Sequence, residues 1–97
     1  MAKKAKSQTE DVRLAEIRKQ LDTENIILGK DRTMKLLRGG ELSKVFLSSN
    51  TEAKAREEIE KYAGLNDVRV ETLDLNNEEL GILCKKPFFV SVLSFRK

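Results

Sequence analysis

Residues 25–40 read NIILGKDRTMKLLRGG, and their reading decides the fold. Asn25-Ile26-Ile27-Leu28 is short, apolar and β-branched, as a buried strand requires. Gly29 ends it. The following Lys30-Asp31-Arg32-Thr33-Met34-Lys35-Leu36-Leu37-Arg38 continues as a helix, and Gly39-Gly40 closes that helix as a C-cap does. The segment is therefore a strand that passes through one glycine into a helix bearing Lys30, Arg32 and Lys35 near its start.

The same alternation continues on both sides. Leu14, Ile17 and Leu21 recur at three and four residues, which predicts a helix over Thr9 to Asp22 with one face on a core. Leu42 to Ser48 contains Val45-Phe46-Leu47, too apolar for a strand with a wet face and suited to the middle of a covered sheet. Glu52 to Leu65 is the clearest helix, with Ala55, Ile59 and Tyr62 on one side and i,i+4 ion pairs expected for Glu52/Arg56 and Glu57/Lys61. Val68 to Thr72 alternates like a strand near an edge. Asn76 followed by Glu79 is a capping signature ahead of Leu80, Leu83 and Cys84. Phe88 to Leu93 then reads as another central strand, with Pro87 at its entrance.

A helix, three strand-helix pairs and a last strand, with apolar strand centres, imply an α/β fold in three layers, α/β/α, around a mixed sheet of roughly four strands. At 97 residues, 39% hydrophobic and 36% charged, the chain supports a single modest core. The expected organisation is a basic disordered tail over 1–8, carrying Lys3, Lys4 and Lys6, and one domain over 9–97.

The formal net charge is only +3, from 19 basic and 16 acidic residues. Its distribution says more. Residues 51–80 hold four cations against nine carboxylates, net −5, leaving 15 against seven, net +8, for the rest. There is no histidine and one cysteine, Cys84, so intrachain disulfides, Cys/His zinc sites and histidine-based catalysis are excluded. Cys84 reads as a small buried residue. No apolar stretch approaches the roughly 20 residues of a membrane helix, and no signal-peptide apolar region follows the lysine-bearing start, so a soluble, cytoplasmic protein without cofactor is expected.

In folds of this class the loops at one edge of the sheet carry function. A phosphate loop of an enzyme fails on detail: no glycine precedes Gly29 at the needed spacing, and Lys30 is followed by Asp31 rather than a hydroxyl. Glu57/Glu58 and Glu78/Glu79 are adjacent on helices and diverge, so they do not form an acid/base pair. A surface for RNA fits better. The helix start offers unpaired N–H groups and a positive dipole end to phosphate, and Arg32 and Lys35, about one turn apart, can share a face. Cations that merely solubilise an exposed helix would look the same at this segment alone.

The string ILGKDRTMKLLRGGELSKVFLSSN (27–50), followed by ELGILCKKPFFV (79–90), resembles the archaeal and eukaryotic large-subunit ribosomal L30e family, within the kink-turn RNA-binding superfamily that includes L7Ae. The resemblance runs from about Ile17 to Phe95. It implies the three-layer sandwich and a non-enzymatic, ribosome-associated role: an RNA-binding protein of the large subunit that stabilises a kink-turn of ribosomal RNA. It implies also that the protein is a monomer outside the ribosome, with other ribosomal components as neighbours. A guide-RNA or RNase P accessory role, or a protein-interaction module that has lost RNA binding, are the alternatives within the superfamily.

By position, the resemblance implies that Gly29 and Lys35 meet the tandem sheared G·A pairs, with Lys30, Asp31 and Arg32 in the same turn. It implies that Asn50 reads a base edge by donating and accepting, that Phe88 stacks on an unpaired base, and that Lys85 and Lys86 reach phosphates. Asp31 stands where Asn or Lys is usual, and Lys85 where glycine is usual. Gly29 would also suit a plain strand-to-helix turn, Phe88 a core strand, and Asn50 a cap on the next helix.

Overall fold

A computed structural model describes residues 13–97. The expected tail at 1–8 and the start of the first helix at Thr9 lie outside the described residues. Helix α1 covers residues 13–20. There follow β1 (Ile26–Leu28), α2 (Lys30–Arg38), β2 (Leu42–Leu47), α3 (Ala53–Leu65), β3 (Arg69–Thr72), α4 (Asn77–Leu83) and β4 (Val92–Arg96). The element order is the one the sequence predicts, and the fold is α/β with a mixed sheet.

The four strands lie in the order β1-β4-β2-β3. β4 runs antiparallel to β1, with Leu28 opposite Leu93, and antiparallel to β2, with Phe46 opposite Leu93. β3 is parallel to β2 and forms an edge, Leu47 facing Thr72. Side chains alternate across the sheet, so Val45 and Leu47 enter one core and Phe46 the other. The first core joins Val45, Leu47 and Val92 to Met34 and Leu37 of α2 and Ile59 and Ala63 of α3. The second joins Phe46, Leu93 and Phe95 to Ile17 of α1 and Leu80 and Cys84 of α4. Phe46 and Phe95 meet edge-on at 5.3 Å.

Between α2 and β4, Thr33 Oγ1 and Ser94 Oγ share a fully buried hydrogen bond of 3.0 Å, which satisfies both hydroxyls and seats the first turn of α2 on the sheet. On the opposite face, Lys44 binds Glu16 at 3.0 Å, and Arg13 binds Glu71 at 3.4 Å, joining α1 to β2 and β3.

Two expectations need correction. The run from Phe88 is not a strand: β4 begins at Val92 and extends to Arg96, and Phe88 and Phe89 are 53% and 65% exposed. The reason lies in the end of α4. Lys85 N–H donates to Ile82 O and Lys86 N–H to Gly81 O, with Lys85 at φ 58, which is a Schellman ending, and Pro87 prevents the helix from resuming. The chain then doubles back along α4, and Val90 N–H donates to Asn77 O at 3.0 Å. Its amide goes to the helix and not to the sheet. Secondly, among the described residues, neither Glu52/Arg56 nor Glu57/Lys61 forms an ion pair; instead Glu58 reaches Lys30 on α2 at 3.6 Å.

Candidate nucleic-acid interface

The strand directions bring three segments to one edge of the sheet: the end of β1, the end of β2 and the approach to β4. Gly29 N–H donates to Val92 O at 2.8 Å, and Ser48 N–H to Ser91 O at 2.8 Å. The turn into α2, the turn into α3 and the strap before β4 are thereby fixed side by side.

Gly29 adopts φ 105 and ψ 150, a region open essentially to glycine alone. A Cβ there would touch nothing within 4 Å, so the glycine serves the backbone angle and leaves open space beside it. α2 has no side-chain cap, and its first internal bond is Thr33 N–H to Gly29 O at 3.2 Å. The amides of Lys30, Asp31 and Arg32 have no backbone acceptor among the described residues. Asp31, in the first turn, complements the helix dipole.

Facing that turn is the α4–β4 strap, whose position depends on a second glycine. A Cβ on Gly81 would fall 2.3 Å from the carbonyl oxygen of Phe88, so only glycine lets the strap lie against α4. Between the turn and the strap opens a cleft of about 740 Å³. Gly29, Arg32, Lys85, Lys86 and Phe88 line it, and Arg18 of α1 joins them. Cys84 lies in its wall, and burial pushes its thiol up from 9.0 to about 11, against a smaller opposing pull from Lys86.

The remaining candidates lie elsewhere. Lys30, Asp31 and Lys35 border a shallower groove with Arg38 and Glu58 on the side of α2 that faces α3. Arg32 borders the cleft and Lys35 the groove, so these two cations, three residues apart on α2, line neighbouring hollows. Asn50 sits at the start of the β2–α3 turn, exposed, with its amide bonded to Asn77 and Ser48. It does not cap α3, whose N-cap, Glu52, has no side-chain bond.

Arg18 and Arg38 were not singled out by the sequence, because only tertiary packing sets them beside the other cations. Asn77 was hidden inside the capping signature of Asn76 and Glu79, which does form: Asn76 Oδ1 accepts from Glu79 N–H at 2.8 Å, and Glu79 Oε1 accepts from Asn76 N–H at 2.9 Å.

The profile of the ribosomal protein L7Ae/L30e/S12e/Gadd45 family matches residues 13–97. The chain belongs to that family. Within it, the chain is similar to the large ribosomal subunit protein eL30 of Methanothermobacter thermautotrophicus, 42% identical over 77 residues that make up 79% of each chain. The protein of the same name from Methanocaldococcus jannaschii is 38% identical over 79% of this chain and 70% of its own. These family relatives bear the name of a structural ribosomal protein and not of an enzyme. The fold also matches a protein of unknown function from Bacillus halodurans C, with a TM-score of 0.78 and 18% identity over 87% of this chain and 83% of the other. It matches a Giardia lamblia 15.5 kD RNA-binding protein, with a TM-score of 0.73 and 15% identity over 93% and 73%.

Proposed function

We propose that the protein is an RNA-binding component of the large ribosomal subunit that clamps a kink-turn, or a kink-turn-like internal loop, of ribosomal RNA. The observation that carries this reading is the meeting of the uncapped start of α2 with the cationic, aromatic strap on one cleft. Membership of a ribosomal protein family supports it.

The chemistry follows from the parts. Free amides at a helix start and the open space beside Gly29 suit a phosphate group. Arg32, Lys85 and Lys86 supply charge along the same cleft, and the half-exposed ring of Phe88 offers a stacking surface to an unpaired base. Lys30, Lys35 and Arg38 extend the basic surface around α2. Bending RNA sharply brings phosphates together, and a cleft that fits only the bent form shifts the population toward it. The protein acts in the cytoplasm, in the ribosome, and is a monomer outside it.

Titration of a kink-turn labelled with a donor and an acceptor dye should show compaction on binding, with affinity that falls steeply as salt rises. A kink-turn left extended and unbound at low salt defeats the reading and favours a protein-interaction module of the same fold.

A further inference from the structure

Asn77 joins the two sides of the site. Its Oδ1 accepts from Asn50 Nδ2 at 3.0 Å, its backbone N–H donates to Asn50 Oδ1 at 3.0 Å, and its carbonyl accepts from Val90 N–H at 3.0 Å. One residue at the start of α4 thus holds the β2–α3 turn with its side chain and amide, and the strap with its carbonyl.

The orientation of the Asn50 amide follows from chemistry. A backbone N–H can only donate, so the Asn50 atom that meets it is the oxygen. Ser48 Oγ also donates to that oxygen, at 2.9 Å. Both acceptor sites of the Asn50 carbonyl are thereby filled, and of the two Nδ2 hydrogens one is given to Asn77. A single donor is left over on an exposed side chain.

We infer that Asn77 is a positioning residue for RNA binding, which fixes Asn50 so that it meets RNA as a hydrogen-bond donor only, toward a base or ribose acceptor. The inference rests on the proposed function and deepens it: the expected double role of Asn50, donating and accepting at one base edge, is reduced to one half. Asn77 itself needs no contact with RNA. Without its Oδ1 the Asn50 Nδ2 loses its one protein acceptor while the oxygen stays held by Asn77 N–H and Ser48 Oγ, and part of the preorganisation of the site is lost.

A double-mutant cycle on kink-turn affinity tests this, with Asn50→Ala, Asn77→Ala and the pair, each shown to be folded by its melting transition. Asn77→Ala should weaken binding about 5- to 10-fold, the usual worth of one hydrogen bond. In the Asn50→Ala background the same change should have little further effect. A structural defect in α4 would weaken binding equally in both backgrounds, and that additive result overturns the inference while leaving RNA binding intact. Should Asn77→Ala fail to fold, Asn77→Ser, which keeps a hydroxyl at the helix start but is too short to hold the Asn50 amide, carries the cycle. Failure of the unaltered protein to bind the kink-turn is a separate outcome, which removes the functional reading and this inference together.

Discussion

At the scale of single residues, Lys85 carries two opposed demands. It holds φ 58 at the position after α4 where glycine is the favoured residue, and it places a cation on the cleft. Lys85→Gly should therefore raise stability by about 1 kcal/mol, net of the greater freedom glycine gives the unfolded chain. The same change should weaken kink-turn binding. Thermal unfolding and titration of the one variant check both signs. Cys84 gives a second prediction. Burial raises its thiol from 9.0 to about 11, so the folded state keeps a proton that the unfolded chain releases. Its contribution is present in full below about pH 9 and is lost as pH rises toward 11. The unfolding midpoint should fall across that window more steeply in the native protein than in Cys84→Ala, and the thiol should resist alkylation at neutral pH until the protein unfolds. Both residues were conspicuous in the sequence, Cys84 for its uniqueness and Lys85 for its departure from glycine. The positive φ that gives Lys85 its meaning was not legible there.

Among the elements, most of what periodicity predicts is present. Val45-Phe46-Leu47 is buried on both sides of the sheet, and the box of Asn76 and Glu79 starts α4. The run from Phe88 misled because composition describes burial preference, whereas the position of these residues is set by the Schellman ending of α4 and by Gly81. A Phe-Phe-Val run favours a strand only when the ladder is within reach, and here the helix takes the amide first. Charge spacing on α3 misled for a related reason: Glu58 finds Lys30 across the helix pair, an exposed contact of little energetic weight. The strap gives the prediction at this scale. Gly81→Ala puts a methyl group into the Phe88 carbonyl, and backbone must yield because no flexible side chain is in the way. Stability should fall by about 1–3 kcal/mol, as for overpacking elsewhere. Chemical denaturation measures the loss. Amide spectra should show the largest changes over residues 86–90, with β1 and β3 unaffected.

For the whole molecule, the sequence disclosed a polarised chain under a small net charge, and folding turns that polarity into place. The negative block 51–80 forms α3, β3 and the start of α4, whereas Lys30 and Arg32 at the start of α2 and Lys85 and Lys86 of the strap gather at one end of the sheet. What the sequence could not disclose is that Arg32 borders the cleft and Lys35 the groove beside α3, since one-turn spacing alone does not say which neighbours stand on either side. If RNA wraps the start of α2, both hollows take part. Arg32→Ala and Lys35→Ala should then each weaken kink-turn binding and each reduce the slope of log affinity against log salt by about one. An unchanged slope for Lys35→Ala would confine the RNA to the cleft.

The strand order bears also on time. β4 lies between β1 and β2, so β1 has no partner in the sheet until the last strand arrives. During synthesis, residues up to about 90 can form helices and the parallel β2–β3 pair, but both cores lack their shared wall, and Gly29 lacks the carbonyl of Val92 that fixes its turn. Closure of the fold and completion of the basic cleft are then one late event. A nascent chain of this design presents no finished cleft until β4 has left the ribosome that made it.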